Sequence, residues 1–275
     1  MPRLCRLMKV SKSGYYAWKK KKPGKRSVEN EKLVFEIRVL HEKSGRNSGS
    51  PKIWEALKKA GKKYGKNRVA RLMRKNGIRC KYAKKYKATT NSKHSYPVAE
   101  NILKQHFVVE RPNEVWVADI TYVWTEEGWL YVSVVIDLYA RKVVGLAMSE
   151  RIDADLANAA LMQAIERRRP DPGLLYHSDQ GATYAATSHQ EIVSKNKLTM
   201  SMSRKGNPYD NAVAESTLGC YKKELVFDEK FETRARAKVK TFEYFEVTFN
   251  RERLHSSNGY NTPEEHESEY YKLFN

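Results

Sequence analysis

The sequence predicts an α/β chain in which a five-stranded mixed sheet with flanking helices follows a basic all-α domain. Three observations predict it. Charge is segregated: residues 1–110 hold 31 Lys+Arg against 7 Asp+Glu, a net of +24, whereas residues 111–275 hold 21 against 25, a net of −4, within an overall +20. Apolar residues recur at helical spacing in the first part and alternate at strand spacing through residues 115–150. Three carboxylates, Asp119, Asp179 and Glu215, fall in three different elements of the second part.

Taken in order, residues 1–22 suggest a short helix capped by Ser11 or Ser13 and carrying Tyr15, Tyr16 and Trp18. It resembles the second half of a helix-turn-helix, as if the chain began inside a longer reading frame; an amphipathic first helix packing on its neighbour is the alternative. After the KKKKPGKR break, Leu33, Ile37 and Leu40 mark a helix over 29–43, and Ser50-Pro51 opens another through Ala60. The helix over 67–77 puts Val69, Leu72 and Met73 on one side and Arg68, Arg71, Arg74 and Lys75 on the other, and stops at Gly77. Helix, Gly-containing turn and Arg-bearing helix make a helix-turn-helix candidate, with those four cations facing DNA. Residues 79–100 have no period and mix basic with aromatic side chains, which reads as a linker that neutralises phosphates.

VWVADITYVW (115–124) and WLYVSVVIDLYA (129–140) are joined by Thr-Glu-Glu-Gly, a hairpin signal, and KVVGLAMSE (142–150) adds a third strand. Asp153 caps a helix whose buried face is Leu156, Ala160, Met162 and Ile165; Arg167-Arg168-Arg169 reads as its solvated end. GLLYHSD is a short fourth strand, a helix covers 187–197, and LTMSMS (198–203) is a fifth strand. A loop, the helix bearing Glu215 and a mainly helical tail from Glu232 complete the order, which is that of a ribonuclease-H-like fold.

In that order Asp119 lies mid-strand on the first strand and Asp179 just past the fourth, its neighbour, with the Glu215 helix across the edge. An aspartate inside an apolar strand is costly unless it is paired or binds metal. Phosphoryl transfer gains from two hard cations about 3.5–4 Å apart, and Mg²⁺ takes carboxylate oxygens. On the Glu215 helix Ala212, Glu215, Gly219 and Lys222 share a stripe; Val213, Tyr221 and Leu225 are expected in the core, with Asp210 as N-cap. Lys222 is then set for a phosphate. His177 reads as a packed strand histidine, Asp137 as the partner of Arg141 or Arg151, and Asn250, Arg253 and His255 as structural.

These stretches, with YHSDQG, SMSRKGNPYDNAVAES, YKKELV, FNRERLHSSNGYNTPEE, VSKSGYYAW and NRVARLMRKNGI, resemble the second-frame (OrfB-type) transposases of insertion sequences, whose core is similar to retroviral integrase. The resemblance covers nearly the whole chain. It implies an Asp-Asp-x35-Glu metal triad of Asp119, Asp179 and Glu215, with two Mg²⁺ (Mn²⁺ substituting), and Lys222 on transposon-end DNA. It implies terminal inverted repeats and target DNA as double-stranded partners, a homo-oligomer on DNA, and an upstream-frame product as a further partner. Thr217 and Leu218 stand where the family often has aromatics, and Asn47-Ser48-Gly49-Ser50 departs from its usual loop. The expected division is a helix-turn-helix-like domain over 1–78, a linker over 79–110, an integrase/ribonuclease-H-like core over 111–228 and a helical extension over 229–275. A hydrolytic nuclease of the same fold and an inactive or regulatory DNA-binding derivative are the alternatives.

Cys5, Cys80 and Cys220 have neither CxxC nor Cys/His spacing, which argues against a disulfide framework or structural zinc. The apolar runs are strand-length and no signal-peptide core is present, so no membrane role and a cytoplasmic, nucleoid-associated bacterial protein are expected.

Overall fold

A computed structural model of the chain describes residues 5, 7–20, 24–81, 97–204 and 207–273. They fall into two compact units, Met1–Cys80 and Lys81–Asn275.

The first unit contains α1 (Lys12–Lys20), α2 (Lys25–Lys43), α3 (Ser50–Lys59) and α4 (Lys66–Lys75). Leu33 and Ile37 of α2, Ile53 and Leu57 of α3, and Val69, Leu72 and Met73 of α4 bury one another, so the apolar spacing read from the sequence is the core of this unit. Gly77 adopts φ +67°. That lets Ile78 N–H reach Met73 O at 2.9 Å and Gly77 N–H reach Arg74 O at 3.3 Å, a left-handed C-terminal turn that L residues adopt poorly. Most of the linker read from the sequence, residues 82–96, lies outside the described residues.

The second unit is built on β1 (Val115–Thr125), β2 (Gly128–Asp137), β3 (Lys142–Ser149), β4 (Leu175–Ser178) and β5 (Thr199–Met202), in the spatial order β3-β2-β1-β4-β5. β1 pairs antiparallel with β2 and parallel with β4. The helices are α5 (Ala154–Arg168), α6 (Ala182–Ala185), α7 (Thr187–Lys195), α8 (Ala212–Tyr221), α9 (Arg234–Glu243) and α10 (Pro263–Lys272). π-helical stretches Lys222–Val226 and Tyr244–Glu252 continue α8 and α9. Strand alternation sorts the core into two layers. Val115, Val117 and Val123 pack with Ala214, Leu218, Tyr221 and Phe245; Trp116 and Ala118 pack with Ala157, Ala160, Leu161 and Val193 on the other face. α5 lies close on β3 because Gly145 has no side chain: a Cβ there would stand 2.2 Å from Ala160 O.

Residues 97–110 differ from the expected tether. Leu103 is buried in the core, the N–H groups of Ile102 and Leu103 donate to Ser201 Oγ at 3.0 and 3.3 Å, and Arg141 donates to Phe107 O. The few apolar residues of this stretch have no period, so their docking is invisible until β5 is in place.

Two charge assignments change. Asp137 is fully buried and pairs with Arg168 at 3.5 Å rather than with Arg141 or Arg151; the backbone N–H groups of Asn113 and Tyr139 also donate to it. Arg168 is therefore not a solvated helix end. Its guanidinium also bonds Glu267 of α10, which Lys142 approaches at 2.7 Å, and Arg167 pairs with Glu246 at 2.5 Å. Glu267 of α10 and Glu246 of the π-helical stretch after α9 are the acids that these two arginines meet. Asp153 caps α5 as expected, accepting from Leu156 N–H at 3.1 Å.

Candidate active site

The parallel register of β1 and β4 pairs Val115 with Leu175, Trp116 with Tyr176 and Val117 with His177. The offset is constant, so Asp119 and Asp179 occupy matching positions just beyond the paired segment. Matching positions on adjacent strands share a face and lie about 5 Å apart. Past this point β1 no longer has β4 beside it, and α8 approaches from that side: Asn211, the residue before α8, donates from Nδ2 to Ala118 O at 3.0 Å. Glu215 stands in the first turn of α8.

Local bonds orient the two aspartates. Asp119 Oδ1 accepts from Ile120 N–H at 2.8 Å, and Asp179 Oδ1 accepts from Gly181 N–H at 2.9 Å. A Cβ at Gly181 would lie 2.9 Å from that same Oδ1, so the turn accommodates only glycine without moving the carboxylate.

The three acids feel one another. Burial pushes the Asp119 carboxyl well above the usual range, and the Asp179 charge adds to this; the Ile120 N–H bond opposes it, Glu215 raises it further and Lys222 lowers it. Burial, then Asp179, raises Glu215. Lys222 is buried with its Nζ 4.1 Å from the centre of the Tyr122 ring, and burial lowers its pKa to about 8 against the pull of Asp119. Among the described residues, no three His, Cys, Asp or Glu side chains stand together at metal-ligand spacing. The acids are near enough to repel without forming a closed cage.

Residues 109–208 and 196–263 match integrase core domain families, and residues 28–86 match an HTH-like domain. The transposase InsF of insertion sequence IS3A from Escherichia coli K12 is 35% identical over 96% of this chain and 93% of its own length. The transposase of IS904 from Lactococcus lactis is 40% identical over 90% and 98%. A 31 kDa protein of insertion element IS600 from Shigella sonnei is 41% identical over 98% and 99%. This chain belongs to the insertion-sequence transposases. It is a DDE-type polynucleotidyl transferase with an integrase core. Enzymes with this core normally use a divalent metal. A solved structure of the HTLV-2 integrase catalytic core in complex with magnesium has 17% identity and a TM-score of 0.44, covering 56% of this chain and 96% of that one.

In the transposase the supports of the triad region differ in part from expectation. Asp210 is not the N-cap of α8. It is fully buried and accepts from Arg204 N, Nε and Nη2 at 2.9, 3.0 and 3.0 Å, from Asn101 at 2.8 Å and from Gln105 at 2.7 Å. Those charge-assisted bonds, Arg204 foremost, hold its carboxyl far below the ordinary range. A single helix N–H is no match for them. Ala214, Leu218 and Tyr221 form the buried face of α8, with Thr217 beside them, while Val213 and Leu225 are half-buried at its margin. Lys222 follows α8 with α-helical backbone angles, φ −61° and ψ −41°, and carries its Nζ over Tyr122 near Asp119.

His177 is the packed strand histidine expected: it is buried, with Nδ1 2.8 Å from Ser201 Oγ and Nε2 3.1 Å from Ser203 Oγ, and burial lowers its pKa to about 4. Asn250 joins α9's π extension to β3 by exchanging two hydrogen bonds with Val143, and Arg253 binds Glu224, both structural contacts. In the HTH-like unit Arg71, Arg74 and Lys75 are exposed. Arg68 instead donates to Asn30 at 3.0 Å and Glu29 at 3.2 Å, tying α4 to α2. Sequence reasoning missed Tyr122, Asn211 and the Asp210 cluster; only the apolar-to-polar mix of NPYDN hinted at the last two.

Proposed function

We propose that Asp119, Asp179 and Glu215 are the metal-binding, catalytic carboxylates of this transposase, and that it cleaves the ends of its element and joins them to target DNA. The observation carrying this reading is that the constant β1–β4 offset sets Asp119 and Asp179 at matching positions while Asn211 ties the start of α8, and with it Glu215, to β1; Asp179 and Glu215 both add to the rise of the Asp119 carboxyl pKa that burial begins. Such mutual repulsion is costly without a cation. An all-oxygen donor set with neither thiol nor imidazole suits Mg²⁺, with Mn²⁺ as a substitute. Two such ions, when bound, supply Lewis-acid activation of the attacking oxygen and charge neutralisation at the leaving oxygen.

The chain's own groups do the rest. Asp119 and Asp179, held by the Ile120 and Gly181 N–H groups, keep two carboxylates on one face of the sheet. Glu215 closes the site from α8. Lys222, fixed over Tyr122, sets a positive charge beside Asp119, where a DNA phosphate must come. Water first attacks the scissile phosphodiester and frees a 3′-hydroxyl; that hydroxyl then attacks target DNA in line. Exposed Arg71, Arg74 and Lys75 hold phosphates of the terminal repeats, with Arg68 bracing their helix. The two ends to be joined call for a homo-oligomer on DNA. Among the described residues no helix is long and apolar enough to cross a membrane, and the bacterial nucleoid is the working place proposed.

The test is cleavage and joining of labelled DNA carrying the element's ends in Mg²⁺. Wild type should join ends, while Asp119→Asn, Asp179→Asn and Glu215→Gln bind the same DNA and lose at least a hundredfold in rate. Full activity in any of the three would remove that residue from the triad.

A further inference from the structure

Asn211 lies between the buried Asp210 cluster and the first turn of α8. It is 4% exposed, and its Nδ2 donates to the carbonyl of Ala118, the residue before Asp119. It is the N-cap residue of α8, one helical turn ahead of Glu215, yet its side chain caps nothing. Its Oδ1 is buried with no hydrogen-bond partner among the described residues. Buried amide oxygens are rarely left so.

An asparagine at an N-cap ordinarily turns its oxygen to a helix N–H. Here the amide is spent on a strand 93 positions away in sequence. The neighbouring Asp210 pins the chain on the other side, through Asn101, Gln105 and Arg204. Loop, strand and helix thus meet at one dipeptide, and α8 has little freedom to slide along β1.

We infer that Asn211 is a positioning residue for the metal site. Its side-chain Nδ2–H, bonded to Ala118 O, sets the spacing between β1 and α8, and so between Asp119 and Glu215. The inference rests on the proposed triad. It assigns Asn211 no contact with reacting atoms. Residues that orient metal ligands from behind typically govern ten- to a hundredfold of metal affinity.

The experiment measures Mn²⁺ binding to the full chain, by the electron paramagnetic resonance signal of free Mn²⁺, beside thermal melting. Asn211→Ala and the similarly shaped Asn211→Leu are expected to weaken Mn²⁺ ten- to a hundredfold, and Asn211→Gln, which keeps the amide on a longer stem, to recover part of the loss. Leu218→Ala, which loosens the buried face of α8 elsewhere, is expected to lower the melting temperature and leave Mn²⁺ affinity near wild type. Wild-type affinity in both Asn211→Ala and Asn211→Leu would overturn the assignment. So would an equal loss of affinity in Leu218→Ala, which would make Asn211 a general support of the helix. Failure of the underlying triad looks different: Asp119→Asn and Glu215→Gln would themselves bind Mn²⁺ like wild type.

Discussion

His189 is fully buried between the rings of Tyr176 and Tyr184, 5.5 and 5.4 Å away, with Nδ1 2.8 Å from Asn158 Oδ1. Burial lowers its pKa to about 4, against about 6.5 in an unfolded chain. A folded pKa below the unfolded one means that, as pH falls from about 6.5 towards 4, the unfolded chain takes up a proton that the folded chain refuses. Stability is therefore complete above about pH 7 and declines through that window. At pH 5 the loss is about 2 kcal/mol for one such histidine. His177, lowered to about 4 by burial, adds a loss of the same sign. Urea unfolding at pH 7.5 and 5.0 should show both, and His189→Gln should retain only about half of the difference. An undiminished difference in that variant would assign the effect elsewhere.

At the scale of elements, α10 is joined to the sheet and α5 by charge. Glu267 is 5% exposed and faces both Arg168 and Lys142, while Arg168 also faces buried Asp137. Removing one partner of a buried pair leaves the other's charge uncompensated, at a cost of about 3 kcal/mol. Glu267→Gln is thus expected to lower the melting temperature by roughly 6–12 °C in a unit of this size. The exposed Arg46–Glu42 pair on the other unit is expected to be silent in the same melt when Glu42 becomes Gln, because water already solvates both ends. Equal shifts for the two substitutions would argue that α10 is held by its apolar contacts alone.

At the scale of the molecule, a first part of net +24 and a remainder of net −4 fit the proposed division between holding DNA and acting on it. Each phosphate neutralised releases counterions, so log affinity falls with log salt in proportion to the number of contacts. Replacing Arg71, Arg74 and Lys75 together by Ala should flatten that slope by about 3, roughly one unit per lost contact, as read by fluorescence anisotropy of terminal-repeat DNA between low and physiological salt. Arg68→Ala should instead alter the melt of the first unit, because its bonds go to Asn30 and Glu29. An unchanged slope in the triple variant would move the DNA-holding surface off α4.

Much of this protein was legible from sequence because the signals are local or periodic. Alternation through 115–150 determined the strands and their two faces. Segregated charge separated a basic part from a nearly neutral one, and spacing singled out Asp119, Asp179 and Glu215. The sequence already expected Asp119 mid-strand and Asp179 just past a neighbouring fourth strand; the constant offset of the β1 and β4 pairing gives the register that matches the two positions. What only the tertiary structure decided concerns polar groups whose partners are distant. Asp210 could cap a helix or collect five donors, and its choice depended on Asn101 and Gln105 arriving from a stretch with no period. Arg168 looked solvated until α10 brought Glu267 across 99 residues. Lys222 was placed on the Glu215 stripe, but its contact with the Tyr122 ring came only with β1 beside α8. Apolar burial needs only the right face and so declares itself in a pattern. A hydrogen bond needs one particular partner, and a linear sequence does not say which will come within 3 Å.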